Sequence, residues 1–160
     1  MTREDYNIMV NKYADNVYRF VLSNIKDSDL AQDIVQDSFA KLWTNRDEVD
    51  NAKSFLFKVA YNRMIDVTRH EKFSTAEDAI GTGYEPGEYD SNSELKEILE
   101  NALAKLPEQQ RQLILLRDYE GYSYNEIGEI TGLNETQVKV YIFRARKVLK
   151  DYIVKMENAL

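Results

Sequence analysis

The sequence predicts an all-α chain made of two small helical domains joined by a flexible acidic linker. Three observations predict it. Only two prolines and six glycines occur in 160 residues, so little interrupts a helix. Apolar residues recur three and four positions apart almost throughout, which is the period of a helix with one buried face. That period lapses over 71–93, EKFSTAEDAIGTGYEPGEYDSNS, where Gly81, Gly83, Pro86 and Gly87 stand among acids and hydroxyl residues. The expected domains are therefore 1–70 and 94–160.

The first helix is expected over 2–25. Thr2 with Asp5 three residues on is a capping box, and Tyr6, Met9, Tyr13, Val17 and Phe20 form the apolar stripe. Lys26-Asp27-Ser28-Asp29 reads as a turn and the cap of the next helix. That helix, from about Asp29 to Trp43, should bury Leu30, Ile34, Phe39 and Leu42. Its outward residues include Gln32, Asp33, Gln36, Asp37 and Lys41. Phe39 and Trp43 beside Gln36 have the look of an apolar anchor for a protein partner.

After a polar loop, 44–53, the third helix is expected from about Ala52 to Arg69. Phe55, Leu56, Val59, Ala60, Ile65 and Val67 are expected on its core side. Lys53, Lys58, Asn62, Arg63 and Arg69 then lie among Phe57 and Tyr61. Cations interleaved with aromatics and an amide suit single-stranded DNA, since cations track the backbone and flat groups stack on bases. A plain solvated face would read the same way from periodicity alone.

Beyond the linker, Ser93 is expected to cap a helix carrying Leu95, Ile98, Leu99, Ala102, Leu103 and Leu106. Pro107 suits the first turn of another helix, 107–119, with Leu113, Ile114 and Leu116 buried and Gly121 at its end. Residues 123–150 then write two helices back to back. Ser123 with Glu126, and Asn134 with Gln137, are capping boxes, and Thr131-Gly132-Leu133 is a tight turn between them. The first helix buries Ile127 and Ile130; the second buries Val138, Ile142, Ala145 and Leu149. Its other face holds Thr136, Gln137, Lys139, Tyr141, Arg144, Lys147 and Lys150. From Thr136 to Lys150 there are five basic residues and no acid. A short helix, a tight turn and a basic helix with amide and hydroxyl groups at its start describe a helix-turn-helix, whose second helix enters the DNA major groove. The tail is expected to continue this helix and fray.

Composition narrows the function classes. A 43% hydrophobic content excludes global disorder. No cysteine is present, so there is no disulfide framework and no thiolate metal site. The one histidine, His70, has no partner set for zinc or for a triad. Gly-rich phosphate loops and nucleophile signatures are missing, so no catalysis, no cofactor, no metal and no small-molecule substrate are expected. The start, MTREDYNI, is not a signal peptide and no run has the length of a membrane span; a cytoplasmic protein is expected. The net charge is −7, awkward for a protein that must hold DNA alone. Six acids and no base fall between Ser74 and Glu94, while basic groups gather in 53–72 and 136–150. Two nucleic-acid surfaces joined by an anionic linker would look like this.

Two stretches together resemble the extracytoplasmic-function (ECF) group of bacterial alternative sigma factors. In the N-terminal half the match lies in Ala31, Asp33, Gln36, Phe39, Trp43, Phe55-Leu56, Ala60, Asn62, Asp66 and Arg69. In the C-terminal half it lies in Leu106-Pro107, Arg111, Tyr119-Glu120-Gly121, Ser123, Glu126-Ile127, Val138-Lys139 and Arg144-Ala145-Arg146. The resemblance covers nearly the whole chain, in order. It implies domains like sigma regions two and four, with core RNA polymerase (its β′ coiled coil and β flap), promoter DNA and an anti-sigma factor as partners. It implies that Asp33, Gln36, Asp37, Phe39 and Trp43 face polymerase. Lys53, Tyr61, Asn62, Arg63, Asp66 and Arg69 would take the single strand of a −10-type element. Thr136, Gln137, Lys139, Val140, Tyr141, Arg144 and Lys147 would read a −35-type element. Two departures stand out. Val140-Tyr141 replaces a usual Ser-Arg pair, and tyrosine cannot pair bidentately with guanine as arginine does. Phe55 replaces a usual tryptophan and keeps its apolar character. Two other classes fit the pattern less fully: a dimeric operator-binding regulator, and a helical scaffold or anti-regulator acting through its acidic linker.

Overall fold

A computed structural model describes residues 1–73 and 93–158. The linker expected at 71–93 falls, apart from its ends, outside the described residues. The described residues form helices and no strand, and the chain divides into two compact units.

The first unit is built on α1 (Arg3–Ile25), α2 (Ser28–Thr44) and α3 (Ala52–Phe73), each packed on the other two. Thr2 and Asp5 close the expected capping box, with both reciprocal bonds at 3.1 Å. Lys26 ends α1 in the left-handed region, φ 56°, and its N–H reaches the Leu22 carbonyl at 2.9 Å. Asp27 caps α2 by accepting from the Leu30 N–H. Asn51 caps α3 by accepting from the Ser54 N–H. The core gathers Val17, Phe20 and Val21 of α1, Ala31, Ile34 and Leu42 of α2, and Leu56, Phe57, Ala60 and Met64 of α3.

The inward face of α3 differs from the expected one. Phe57 is fully buried and Tyr61 is 7% exposed, whereas Phe55, Val59, Ile65 and Val67 are only half-buried. Two apolar rows four residues apart compete for the core, and the row with Phe57 and Tyr61 wins. Phe57 meets Phe20 with ring centroids 5.6 Å apart, and such aromatic pairs add to what area burial alone provides.

The second unit contains α4 (Ser93–Lys105), α5 (Glu108–Ile114), α6 (Tyr124–Thr131) as far as Gly128, and α7 (Glu135–Asn158). Pro107 stands just before α5, at its cap position. The helix expected over 107–119 is not regular. From Leu115 to Tyr119 it widens to a π-helical segment, closed by the Glu120 N–H to the Leu115 carbonyl at 3.0 Å. Such a wide turn accommodates one extra residue. Leu113, Ile114, Leu115 and Leu116 are all buried, in a helix that packs on α7. Gly121, at φ 78°, ends the segment.

Candidate nucleic-acid interface

The helix-turn-helix forms as its residues dictate. Ser123 and Glu126 exchange bonds of 3.0 and 3.1 Å at the start of α6, and Asn134 and Gln137 exchange bonds of 3.0 and 2.8 Å at the start of α7. Ile127 and Ile130 of α6 and Val138, Ile142 and Ala145 of α7 are buried. Gly132 turns the chain between them at φ 80°. Gly128 has a separate reason. A Cβ there would sit 2.9 Å from the Leu133 carbonyl oxygen, so the turn closes this tightly only over a glycine.

With one face of α7 in the core, the opposite face is presented outward. Thr136, Lys139, Val140, Arg144 and Lys147 are exposed, and Tyr141 is half-buried on the flank. Gln137 is exposed, but its side-chain oxygen accepts from the Asn134 N–H, so part of its hydrogen-bonding capacity is spent on the cap. Lys139 lies 3.5 Å from Glu135 and 5.7 Å from the Tyr124 ring centroid. On that ring Arg117 also stacks, at 4.5 Å, while donating to the Tyr122 carbonyl at 2.8 Å.

Two features of this unit escaped the sequence reading. Phe143 is 71% exposed, beside Val140 on the outward face. Its signal was present in the sequence: it stands five residues after Val138 and two before Ala145, outside the inner stripe. Arg146, one of the basic residues of α7, is held by Asp118 through two bonds of 2.6 and 3.1 Å. That bidentate pair raises the arginine's already high pKa further and braces α7 to the π-helical segment. Arg146 is thus a strut rather than an available cation.

In the first unit, Lys58, Asn62, Asp66 and Arg69 make one exposed row along α3, with Arg63 on its edge. Lys53 is half-buried. Tyr61 and Phe57 are core residues, so the expectation that they stack on bases is corrected: their rings fill the space between the helices. On α2, Asp33, Gln36 and Asp37 form an exposed row. Phe39 is 5% exposed, and its carbonyl accepts the Tyr6 hydroxyl at 3.1 Å. It is an internal anchor, which corrects its placement on a polymerase-facing surface. Burial raises the Tyr6 phenol pKa. Trp43 is half-buried between the Tyr6 ring, centroids 5.0 Å apart, and the Arg46 guanidinium, 4.0 Å from its ring. Arg46 also donates to the Trp43 carbonyl at 2.7 Å. The α2 and α3 rows meet where Arg63 Nε lies 3.5 Å from Asp37 Oδ2. Among the described residues no acidic, histidine or cysteine cluster could hold a metal ion, and no helix is long and apolar enough to cross a membrane.

The chain is similar to known proteins along most of its length. Residues 9–73 match the family described as Sigma-70 region 2, and residues 96–149 match Sigma-70, region 4. The chain is 34% identical over 144 residues to the ECF RNA polymerase sigma factor SigM of Bacillus subtilis, covering 86% of this chain and 88% of that protein. It is 31% identical over 150 residues to the RNA polymerase sigma factor SigV of the same organism, covering 91% and 89%. Among solved structures it resembles the sigma factor RpoE of Bartonella quintana, crystallised with the anti-sigma factor NepR. The TM-score is 0.78 at 26% identity, covering 94% of this chain and 97% of that one.

Proposed function

The chain belongs to the ECF group of sigma factors, which bind core RNA polymerase and direct promoter-specific initiation, and from that premise we propose how its residues divide the task. Residues 1–70 serve polymerase binding and the −10-type element, 94–160 serve the −35-type element, and 71–93 join them. The second unit lays α7 in the major groove. Lys139, Arg144 and Lys147 take phosphates, Thr136 and Gln137 lie at the helix start, and Tyr141 lies at the edge. Val140 and Phe143 meet base edges through apolar contact, of the kind that distinguishes a thymine methyl.

In the first unit the α3 row holds the separated strand of the −10-type element. Arg63, Arg69 and Lys53 offer cations, and Asn62 and Asp66 offer hydrogen bonds to an unstacked base. Asp33, Gln36, Asp37 and Trp43 face polymerase. Polymerase presents DNA to a chain too acidic to hold it alone; the protein contributes no catalysis of its own and acts in the cytoplasm. The relative crystallised with an anti-sigma factor supports an inhibitory protein partner here as well.

The observation that carries this reading is the outward face of α7: cationic from 136 to 150, with an exposed apolar centre and a rigidly capped start. Run-off transcription on genomic DNA with sigma-free core polymerase, followed by mapping of the start sites, tests it. Variants of Val140 and Phe143 should shift the preferred −35-type sequence. Variants of Asn62 and Arg69 should instead reduce strand opening, read by permanganate reactivity, with the −35 preference intact. An unchanged −35 preference in the α7 variants would remove α7 from base reading.

A further inference from the structure

The Arg63–Asp37 pair joins two surfaces whose partners have opposite charge. The outward row of α2 carries Asp29, Asp33 and Asp37, and Lys41 is the one cation in α2. That row fits a basic protein surface. The outward row of α3 carries Lys58, Arg63 and Arg69 against one acid, Asp66, and fits phosphates. Arg63 and Asp37 stand at the seam, 3.5 Å apart, and both side chains are 52% exposed. Neither needs to leave a buried site to change partner. We propose that this pair is an autoinhibitory latch. In the free protein Asp37 occupies the guanidinium that the separated strand needs. Docking of α2 on a basic surface of polymerase gives Asp37 a new partner and releases Arg63 to a phosphate. The proposal rests on the assignment of α2 to polymerase and α3 to the strand made above.

The pair's exposure sets its strength. Solvated ion pairs are weak and screened by salt. A weak latch is what an exchange requires, since a strong one would also resist polymerase. The effect of removing it is accordingly small, roughly two- to fivefold in strand affinity at low salt. Like charges matter too. The carboxylate of Asp37 repels the strand directly, and that repulsion disappears by the same exchange.

The experiment measures anisotropy of a labelled single-stranded oligonucleotide carrying the non-template −10 region of a promoter mapped by run-off transcription. The full chain is used, free and saturated with core polymerase. Asp37→Asn should tighten strand binding by the free chain about two- to fivefold, and that gain should shrink once every chain is held by core polymerase at saturating concentration. Asp15→Asn makes the same charge change on α1 and should give less than half that gain. In the double variant Asp37→Asn/Arg63→Ala the gain should vanish, because the cycle isolates the coupling. If Asp37→Asn leaves the free chain's affinity unchanged while Arg63→Ala weakens it, the latch is refuted and the assignment of α3 stands. An equal gain from Asp15→Asn also refutes the latch, since net charge alone would explain the result. If Arg63→Ala leaves strand binding unchanged even with polymerase, the assignment of Arg63 to the strand is what fails.

Discussion

Phe143→Ala separates a DNA-reading surface from a structural one. The ring is 71% exposed, so its removal leaves no cavity, and stability should stay within about 0.5 kcal/mol of wild type. A fully covered phenylalanine buries roughly 150–250 Å². At 71% exposure about 110–180 Å² of that remains for a partner to cover. Covering half of it at ~25 cal/mol per Å² amounts to about 1.4–2.2 kcal/mol, or roughly 10- to 40-fold in affinity. The assay titrates polymerase carrying the wild-type or variant chain against a labelled duplex promoter, and repeats it with deoxyuridine for thymidine across the −35-type element. Wild type should lose affinity when the methyl groups go, and Phe143→Ala should be weaker and nearly insensitive to them. A variant that binds as wild type, or that loses as much on the deoxyuridine promoter as wild type does, would refute the reasoning.

Further outcomes follow from individual contacts. Arg144→Ala should weaken promoter binding roughly evenly across sequences and reduce the salt slope by about one; a switch in the preferred base at one position would reassign it from phosphate to base. Gly128→Ala gains helix propensity of about 1 kcal/mol but crowds the Leu133 carbonyl, at an overpacking cost of about 1–3 kcal/mol. Weaker promoter binding with unchanged polymerase binding is expected, and a more stable variant with full promoter affinity would show that the turn is not so tight. Truncating Trp43 to Ala should weaken polymerase binding tenfold or more if it is an interfacial hot spot; retained affinity in a folded variant would place Trp43 outside the interface. Hydrogen bonds from Thr2 hold the Asp5 carboxyl below its ordinary value. Its contribution is therefore present above the unfolded carboxylate pKa and is lost as pH falls through the folded one. Asp5→Asn removes the carboxyl that the Thr2 N–H and hydroxyl hold ionised and should flatten the acid limb of a helicity-against-pH curve; an unchanged limb would contradict that origin.

Local chemistry was legible in the residues. All three capping boxes that the sequence spells out form, because each needs only two side chains three positions apart. Most of the inner face of α7 was equally plain: Val138, Ile142 and Ala145 are buried, while Leu149, expected with them, is only half-buried. In α3 the competition is real. Phe55 and Val59 rival Phe57 and Tyr61, and the side that wins packs on α1 and α2, with Phe57 against Phe20, which no reading of α3 by itself contains. The π-helical segment is hidden for a related reason: its residues are good helix formers, and the widening accompanies burial of four consecutive apolar side chains. Pairings across long sequence separation, Arg146 with Asp118 and Arg63 with Asp37, were beyond reach. Phe143 stands off the inner stripe, five residues after Val138, and the helix register turns its ring outward.

The most direct test compares duplex promoter binding by the purified chain, at physiological salt, without and with sigma-free core polymerase. The chain alone should bind weakly and without sequence preference, and the mixture should protect the promoter and start transcripts at one site. Tight, sequence-specific binding by the chain alone, unaltered by polymerase and yielding no transcript, would contradict the account.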